Sequence, residues 1–228
     1  MEIAQLMIGN PLQPAVPESL ADEAYRRIED MIVMRTLPPG SMISESQMSE
    51  VLQCGRTPIR EALLRLKLEG YIEVHPRRGA LVTPVDVRKQ LELLEVRRSL
   101  EELMVRLAAQ RASKADRERL LQLSDEILEA SRTLVIARYF VANKEIHRLS
   151  AAATRNATLI KTMGVIHGLS RRFWYAYIDD TRLVDAANLH SEVVKAIAAG
   201  DADAAAVRAE ALMDFLEGLT RLAVEQRL

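Results

Sequence analysis

The stretch from Ser44 to Thr83 constrains this chain most. Glu45–Leu52 is a short amphipathic run with Ser44 placed to cap it and Met48, Val51 and Leu52 as its core face. Gln53–Arg56 reads as a turn. A second run starts at Thr57-Pro58 and stops at Gly70. Its Ile59, Ala62, Leu63 and Leu66 recur at i, i+3, i+4 and i+7, which predicts a helix with those four against a core and Leu64 near the exposed side. Thr57 and Pro58 fit the N-cap and first turn, where the missing proline N–H would lack a partner anyway. Tyr71–Val74 and Ala80–Thr83 read as strands around the basic tip His75-Pro76-Arg77-Arg78-Gly79. Helix, turn, helix, hairpin is the order of a winged helix-turn-helix.

The flanking chain fits that centre. Residues 1–17 carry Gly9, Pro11, Pro14 and Pro17 without periodicity and without Lys or Arg, and are expected to form a flexible arm. Ser19, with Asp22 three residues on, caps a helix running to about Met34, with Leu20, Ala24, Ile28, Met31 and Ile32 inward. The reading domain therefore spans 18–84, with Pro84 as its boundary. Everything from 85 to 228 reads as helix: Val85–Arg111, Lys114–Ser131, Leu134–Thr154, Ala157–Ile178, Arg182–Ala199 and Ala202–Gln226. Ser113 with Asp116 resembles a capping box, Asn156 and Gly200 are expected helix ends, and Asp201 caps the last helix. The expected fold is mainly α: a winged helix-turn-helix, then an all-α helical bundle.

Charge and composition narrow the function. Net charge is -1, so any nucleic-acid contact must be a local patch. From Cys54 to Pro84 there are six positive residues (Arg56, Arg60, Arg65, Lys67, Arg77, Arg78) against Glu61, Glu69 and Glu73. The single cysteine, Cys54, excludes an intramolecular disulfide; it reads as a turn residue, with redox sensing as the alternative. Glu2 and the lack of a long apolar core argue against a signal peptide, and no apolar run approaches ~18 residues, so no membrane span is expected and the cytoplasm is the default.

Sequence readout needs side chains that reach base edges. Arg56 and Arg60 are placed to pair with guanine O6 and N7. Ser44, Ser46, Gln47 and Thr57 can hold phosphates, and Arg77, Arg78 and Gly79 suit the adjacent backbone or minor groove. Arg60 and Lys67 project from the helix away from the core, free to meet a groove. The bland alternative is that these arginines are solvated surface. LPPGSMI and SESQMSEVLQCGRTPIREALLRLKLEGYIEV resemble the GntR-family signature over about Pro17–Pro84. The resemblance implies DNA contacts at Arg56, Thr57, Arg60 and the wing around Arg78-Gly79. Ser46 stands where the family commonly has arginine, so operator preference does not transfer.

The helical half carries a second cluster. On Leu134–Thr154, Asn143 and His147 share a face with Ile136, Tyr139, Phe140, Ile146, Ser150 and Thr154. On Arg182–Ala199, His190 falls with Leu183, Ala187, Val193, Val194 and Ile197; on Val85–Arg111, Arg97 and Glu101 fall with Leu93, Leu94, Leu100, Met104 and Ala108. These faces, with the last helix, are expected to line one polar pocket in an apolar bundle. Asn143, His147 and His190 form a candidate site for Zn²⁺, Ni²⁺ or Mn²⁺, with satisfied core histidines as the alternative. His75 and His167 have no comparable context. Arg171–Tyr177 concentrates the aromatic residues, and Trp174 is a candidate pocket wall; a dimer face is the alternative.

LEVRRSLEELMVRLAA, NKEIHRLSAAATRN and HSEVVKAIAAGDADAAA are similar to the FadR-type FCD effector domain of GntR regulators. That resemblance implies a helical bundle that binds a small carboxylate and, in many members, a metal through one Asp and three His. Asn143 replaces the Asp. The last histidine is missing, with Leu212 at its spacing and Phe215 the other alignment. Arg97 matches a position that often faces the effector, with Arg97–Glu101 pairing as the structural alternative. The whole reading is a ligand-responsive, homodimeric DNA-binding regulator, expected to be a repressor released by its effector from a short palindrome. The competing readings are a metal-dependent enzyme on the helical domain and a metal sensor.

Overall fold

The computed structural model describes residues 19–75 and 78–225, in two compact units that divide between Val85 and Asp86. The first unit orders α1 (Leu20–Val33), β1 (Met42–Ile43), α2 (Glu45–Leu52), α3 (Arg56–Leu68), β2 (Ile72–His75) and β3 (Gly79–Val82). The second is helical throughout: α4 (Val87–Arg111), α5 (Lys114–Arg132), α6 (Ile136–Ala153), α7 (Ala157–Tyr177), α8 (Asp180–Ala199) and α9 (Ala202–Glu225). The fold is the mainly α, winged helix-turn-helix plus helical bundle expected above. The residue 1–17 arm and Arg77 lie outside the described residues.

In the first unit α3 is the central element, packed on α1, α2 and β2. Ile59, Ala62, Leu63 and Leu66 are all buried, as their spacing predicts. Met48 and Leu52 of α2 and Ala24, Ile28 and Ile32 of α1 meet them in the core. Three expected core residues are instead exposed: Leu20 and Val51 here, and Ile136 in the bundle. Leu20 and Ile136 open their helices, and Val51 lies beside a face that an eight-residue helix fills with Met48 and Leu52 alone. Tyr25 and Glu29 of α1 are buried in addition. Ser19 does cap α1: its Oγ accepts from the Asp22 N–H at 3.0 Å and donates to the Asp22 carboxylate at 2.7 Å.

The recognition helix starts two residues earlier than the sequence reading places it. Gly55 is the N-cap, so Arg56, Thr57 and Pro58 are the first three helical residues and Thr57 is not the cap. Pro58 is tolerated because first-turn N–H groups have no carbonyl one turn back. The wing is a three-stranded antiparallel sheet in the order β1-β3-β2, with Met42 opposite Leu81 and His75 opposite Gly79. The added strand β1 makes Gly79 indispensable. Gly79 has φ +100°, and a Cβ there would lie 2.6 Å from the Ile43 carbonyl oxygen.

In the second unit α4 is central and touches α6, α7, α8 and α9. That position explains how Arg97 and Glu101 come to be buried on a helix rich in charge. Caps follow the sequence closely. Ser113 and Asp116 form a capping box, Asp201 accepts from the Ala204 N–H at 2.9 Å, and Gly200 closes α8 at φ +77°. Asn156 is a start rather than an end: it accepts from the Leu159 N–H at 3.1 Å and caps α7, while Arg155 makes the left-handed turn at φ 53°. Arg117 binds the carbonyls of Ala109, Ala112 and Ala198, joining the C-terminal ends of α4 and α8. No helix among the described residues is long and apolar enough to cross a membrane.

Candidate functional site

Two features carry the chemistry, one in each unit. In the first unit they lie around α2 and the start of α3. Ser44 spends its hydroxyl on α2: Oγ accepts from the Gln47 N–H at 3.2 Å and lies 3.2 Å from the Ser46 Oγ. Ser46 and Gln47 are exposed. The turn is sealed by Ser49, whose carbonyl accepts from the Cys54 N–H at 3.1 Å and whose hydroxyl donates to the Cys54 carbonyl at 2.5 Å. Cys54 itself is half-buried. No side chain caps α3, so its first-turn N–H groups and positive end remain open beside exposed Arg56 and Thr57.

Arg60 is exposed but tethered, where the sequence reading left it free. Its Nε and Nη2 donate to the Glu45 carboxylate at 3.1 and 3.0 Å, a two-point bridge from α3 to α2. Hydrogen bonding to that guanidinium holds the Glu45 carboxyl below its usual range. Arg65 also leaves the open patch: it sits 3.6 Å over the Tyr25 ring and pairs with Glu69 at 2.9 Å and Asp22 at 3.4 Å. Lys67, Arg56 and Arg78 remain exposed. At the wing, the Arg78 N–H donates to the His75 carbonyl at 3.1 Å and Gly79 carries the positive φ.

The second feature is a buried pocket lined by Arg97 of α4, Tyr139, Phe140, Asn143 and His147 of α6, His167, Arg171 and Trp174 of α7, Ala186 and His190 of α8, and Leu216 of α9. Its cavity of about 20 Å³ is room for roughly one water. The structure brings Arg97, Asn143, His147, His190 and Trp174 together, with Glu101 directly behind Arg97. The last helix supplies Leu216; Leu212 is buried outside the lining, and Phe215 stacks on Trp174 with centroids 6.3 Å apart.

Its polar order is specific. Arg97 Nε donates to Glu101 Oε2 at 2.8 Å, so the pairing alternative is realised, and Nη1 donates to Ser170 Oγ at 2.8 Å. Gln90 Nε2 donates to the same Oγ at 3.2 Å. His167 Nε2 lies 2.9 Å from Glu101 Oε2, and His147 Nδ1 lies 4.0 Å from Oε1. The His147 and His167 rings stack at 3.9 Å. His190 Nδ1 donates to the Ala186 carbonyl at 2.7 Å, which leaves Nε2 to accept from the Asn143 amide nitrogen at 3.0 Å. Two donors are stranded: Arg97 Nη2 and Trp174 Nε1 are buried without a hydrogen-bond partner.

Burial pushes the Glu101 carboxyl up, but Arg97 and His167 outweigh it, so it sits well below the carboxylate range and is ionised. Burial pushes all three histidines down: His147 well below the ordinary value, His167 less so because Glu101 opposes the shift, and His190 to about 4. The pocket therefore holds neutral imidazoles and the buried Arg97–Glu101 pair, and Arg171 is buried on the same lining. Glu101, His147 and His167 bring one ligand atom each to within 4.8 Å of one another, a group that differs from Asn143, His147 and His190.

His167 and Arg171 are the residues that sequence reasoning missed. The signal was available: Met163, His167, Ser170, Arg171 and Trp174 share one face of α7 at helical spacing, and all are buried.

The comparisons with known proteins agree in kind. The family described as bacterial regulatory proteins, gntR family, matches residues 20–82, and the FCD domain matches residues 92–215. The Nta operon transcriptional regulator of Aminobacter aminovorans is 32% identical over 165 residues, covering 70% of this chain and 76% of that protein. An HTH-type transcriptional regulator of Mycobacterium tuberculosis is 30% identical over 224 residues, covering 89% and 90%. The "Probable D-xylose utilization operon transcriptional repressor" of Paenarthrobacter nicotinovorans is 28% identical over 185 residues, covering 78% and 80%. Among solved structures, E. coli McbR/YncC has a TM-score of 0.76 at 21% identity, covering 92% of this chain and 99% of that one, which speaks for the fold. These relatives are regulators rather than enzymes, so the metal-dependent enzyme reading falls. The chain belongs to the GntR family of bacterial regulatory proteins, in the branch with an FCD domain, and is a transcriptional regulator.

Proposed function

We propose that this regulator acts in the cytoplasm as a homodimer on a short palindromic operator, and that a small carboxylate bound in the FCD pocket releases it from DNA. One observation carries the effector: Arg97 Nη2 and Trp174 Nε1, stranded on residues that line one cavity. A buried N–H without an acceptor costs about 1–3 kcal/mol, and a carboxylate oxygen relieves it. Both stranded groups on that lining are N–H donors, so an acceptor such as a carboxylate oxygen is favoured there. Room for one water means that the ligand must part the helices around it. A ligand that binds the widened form more tightly shifts the population toward it, and that differential affinity is the control step.

For the reader, Arg56 and Arg60 are the proposed base contacts. Thr57, Ser44, Ser46, Gln47 and the wing residues Arg77, Arg78 and Gly79 are proposed to hold the backbone. Two-fold symmetry of a dimer gives the palindrome. The repressing sense rests on the name of the Paenarthrobacter relative alone. The test is fluorescence anisotropy on DNA flanking the gene, repeated with a panel of small carboxylates. At least one should lower DNA affinity and raise thermal stability. A panel that changes neither sinks the effector reading.

A metal at Asn143, His147 and His190 does not fit these side chains. The His190 lone pair already accepts from the Asn143 amide, and Asn143 brings no charge. A metal would have to displace that hydrogen bond, and Asn143 would offer it a neutral amide oxygen in place of a carboxylate.

A further inference from the structure

We infer that this chain holds its effector's carboxylate directly, through Arg97, Trp174 and Arg171, with no metal ion between them. The inference rests on the effector reading above and gives that pocket its ligand chemistry.

The stranded groups are donors. Arg97 Nη2 and Trp174 Nε1 need an acceptor, and a cation offers none. Arg171, only 6% exposed on the same wall, places a second guanidinium, a donor and not a metal ligand, on the lining. In the remaining group with ligand-like spacing, Glu101, His147 and His167, one carboxylate oxygen and His167 are already committed. Glu101 Oε2 takes the Arg97 guanidinium at 2.8 Å and the His167 ring nitrogen at 2.9 Å. A dication there would compete with a guanidinium for one carboxylate and displace the His167 hydrogen bond. Glu101 and His167 are therefore the support that aims Arg97, with Ser170 and Gln90 holding its other side. Tyr139, Phe140, Trp174, Ala186 and Leu216 line one part of the pocket with apolar and aromatic surface, beside Asn143 and the three imidazoles, so the ligand is a compact carboxylate with an apolar part to its body.

The test is a thermal-shift titration of the full chain with isobutyrate, benzoate and phenylacetate, before and after dialysis against EDTA, with metal analysis of the same samples. At least one acid should raise the melting temperature equally in both states, with metal far below one ion per chain. Arg171→Gln, confirmed as folded by circular dichroism, should lose the shift, and Arg171→Lys should recover part of it. A shift that vanishes with EDTA and returns with Zn²⁺ overturns the direct clamp but leaves the effector reading intact. A shift that Arg171→Gln keeps in full overturns the role given to Arg171. No shift in either state removes the effector reading and the clamp together.

Discussion

Glu45 holds Arg60 through both Nε and Nη2, with Nε 3.1 Å from Oε1 and Nη2 3.0 Å from Oε2. Both residues are solvent-accessible, and the pair joins the two helices of the helix-turn-helix. Such a pair adds little to folding but restricts where a long side chain points. Glu45→Gln should therefore leave the melting temperature unchanged and reduce discrimination between operator and random DNA. Arg60→Ala should lower operator affinity by roughly 10- to 100-fold while random-sequence binding changes far less. Anisotropy titrations at one fixed salt concentration measure both. Equal losses on operator and random DNA would reduce Arg60 to a phosphate contact.

Gly79 separates backbone conformation from close approach. Gly79→Ala meets both a φ of +100° and the Ile43 carbonyl 2.6 Å away. Gly70→Ala meets only a φ of +85°, with open space around the new methyl. The Gly70 change should cost about 1 kcal/mol. The Gly79 change should cost clearly more, because β1 must move off β3, and should also blunt DNA binding through the wing. Urea denaturation of the two variants side by side tests the ordering; equal costs would mean that the wing yields freely.

The reader was legible because its determinants are local. The i, i+3, i+4, i+7 spacing of Ile59, Ala62, Leu63 and Leu66 and the stop at Gly70 follow from a few consecutive residues, and the helix obeys them. Thr57 misled because a residue before proline seldom sits in a helix interior, yet the first turn tolerates it. The Glu45 tether on Arg60 spans a turn whose geometry no spacing specifies. In the bundle, the faces of α4, α6 and α8 were readable, whereas in α7 the aromatic run Phe173–Tyr177 drew attention from the face that His167, Ser170 and Arg171 share. That His190 spends its lone pair on Asn143, and that Trp174 Nε1 has no partner, depend on three-dimensional distances alone.

Arg97 and Glu101 are each only 2% exposed, so removing one partner strands a buried charge. Glu101→Leu should cost about 3–5 kcal/mol. The double variant Arg97→Met with Glu101→Leu should recover most of that loss, because a buried pair replaced by apolar residues is often neutral. Chemical denaturation of wild type, Glu101→Leu, Arg97→Met and the double variant gives the coupling directly. Additive losses in the double variant would mean that the pair is not a unit. The double variant should also ignore the effector, since Arg97 is its anchor.

Acid should loosen the bundle before it unfolds the reader. His190 falls from an ordinary value of 6.5 to about 4, so the unfolded chain binds its proton first as pH drops. Stability is then full above about 6.5 and is lost steadily between about 6.5 and 4, where the native ring also protonates, to a total of about 3 kcal/mol. His147 and His167 shift in the same direction and add to the loss. Glu101, held below its ordinary value of 4.5, contributes stability that is present above that pH and lost below it. Melting temperature against pH on wild type and His190→Gln checks this. The variant should show a shallower slope between pH 6.5 and 4, and an unchanged slope would place the acid sensitivity elsewhere.

Trp174 gives the sharpest separation of folding from ligand binding. Its ring stacks on Phe215 at 6.3 Å with planes 5° apart, while its Nε1–H has no acceptor. Trp174→Phe keeps an aromatic face for Phe215 and deletes the stranded donor. Deleting that donor returns about 1–3 kcal/mol, and the smaller ring gives up a comparable amount of buried apolar contact. The two nearly cancel, so the melting temperature without ligand should hardly move. Carboxylate binding should nevertheless weaken by roughly tenfold, the loss expected for one hydrogen bond to a charged group. Calorimetric titration of wild type and variant with the acid that gives the largest thermal shift measures it. If the variant binds as tightly as wild type, the indole N–H has no part in the clamp, and Arg97 and Arg171 hold the anion alone.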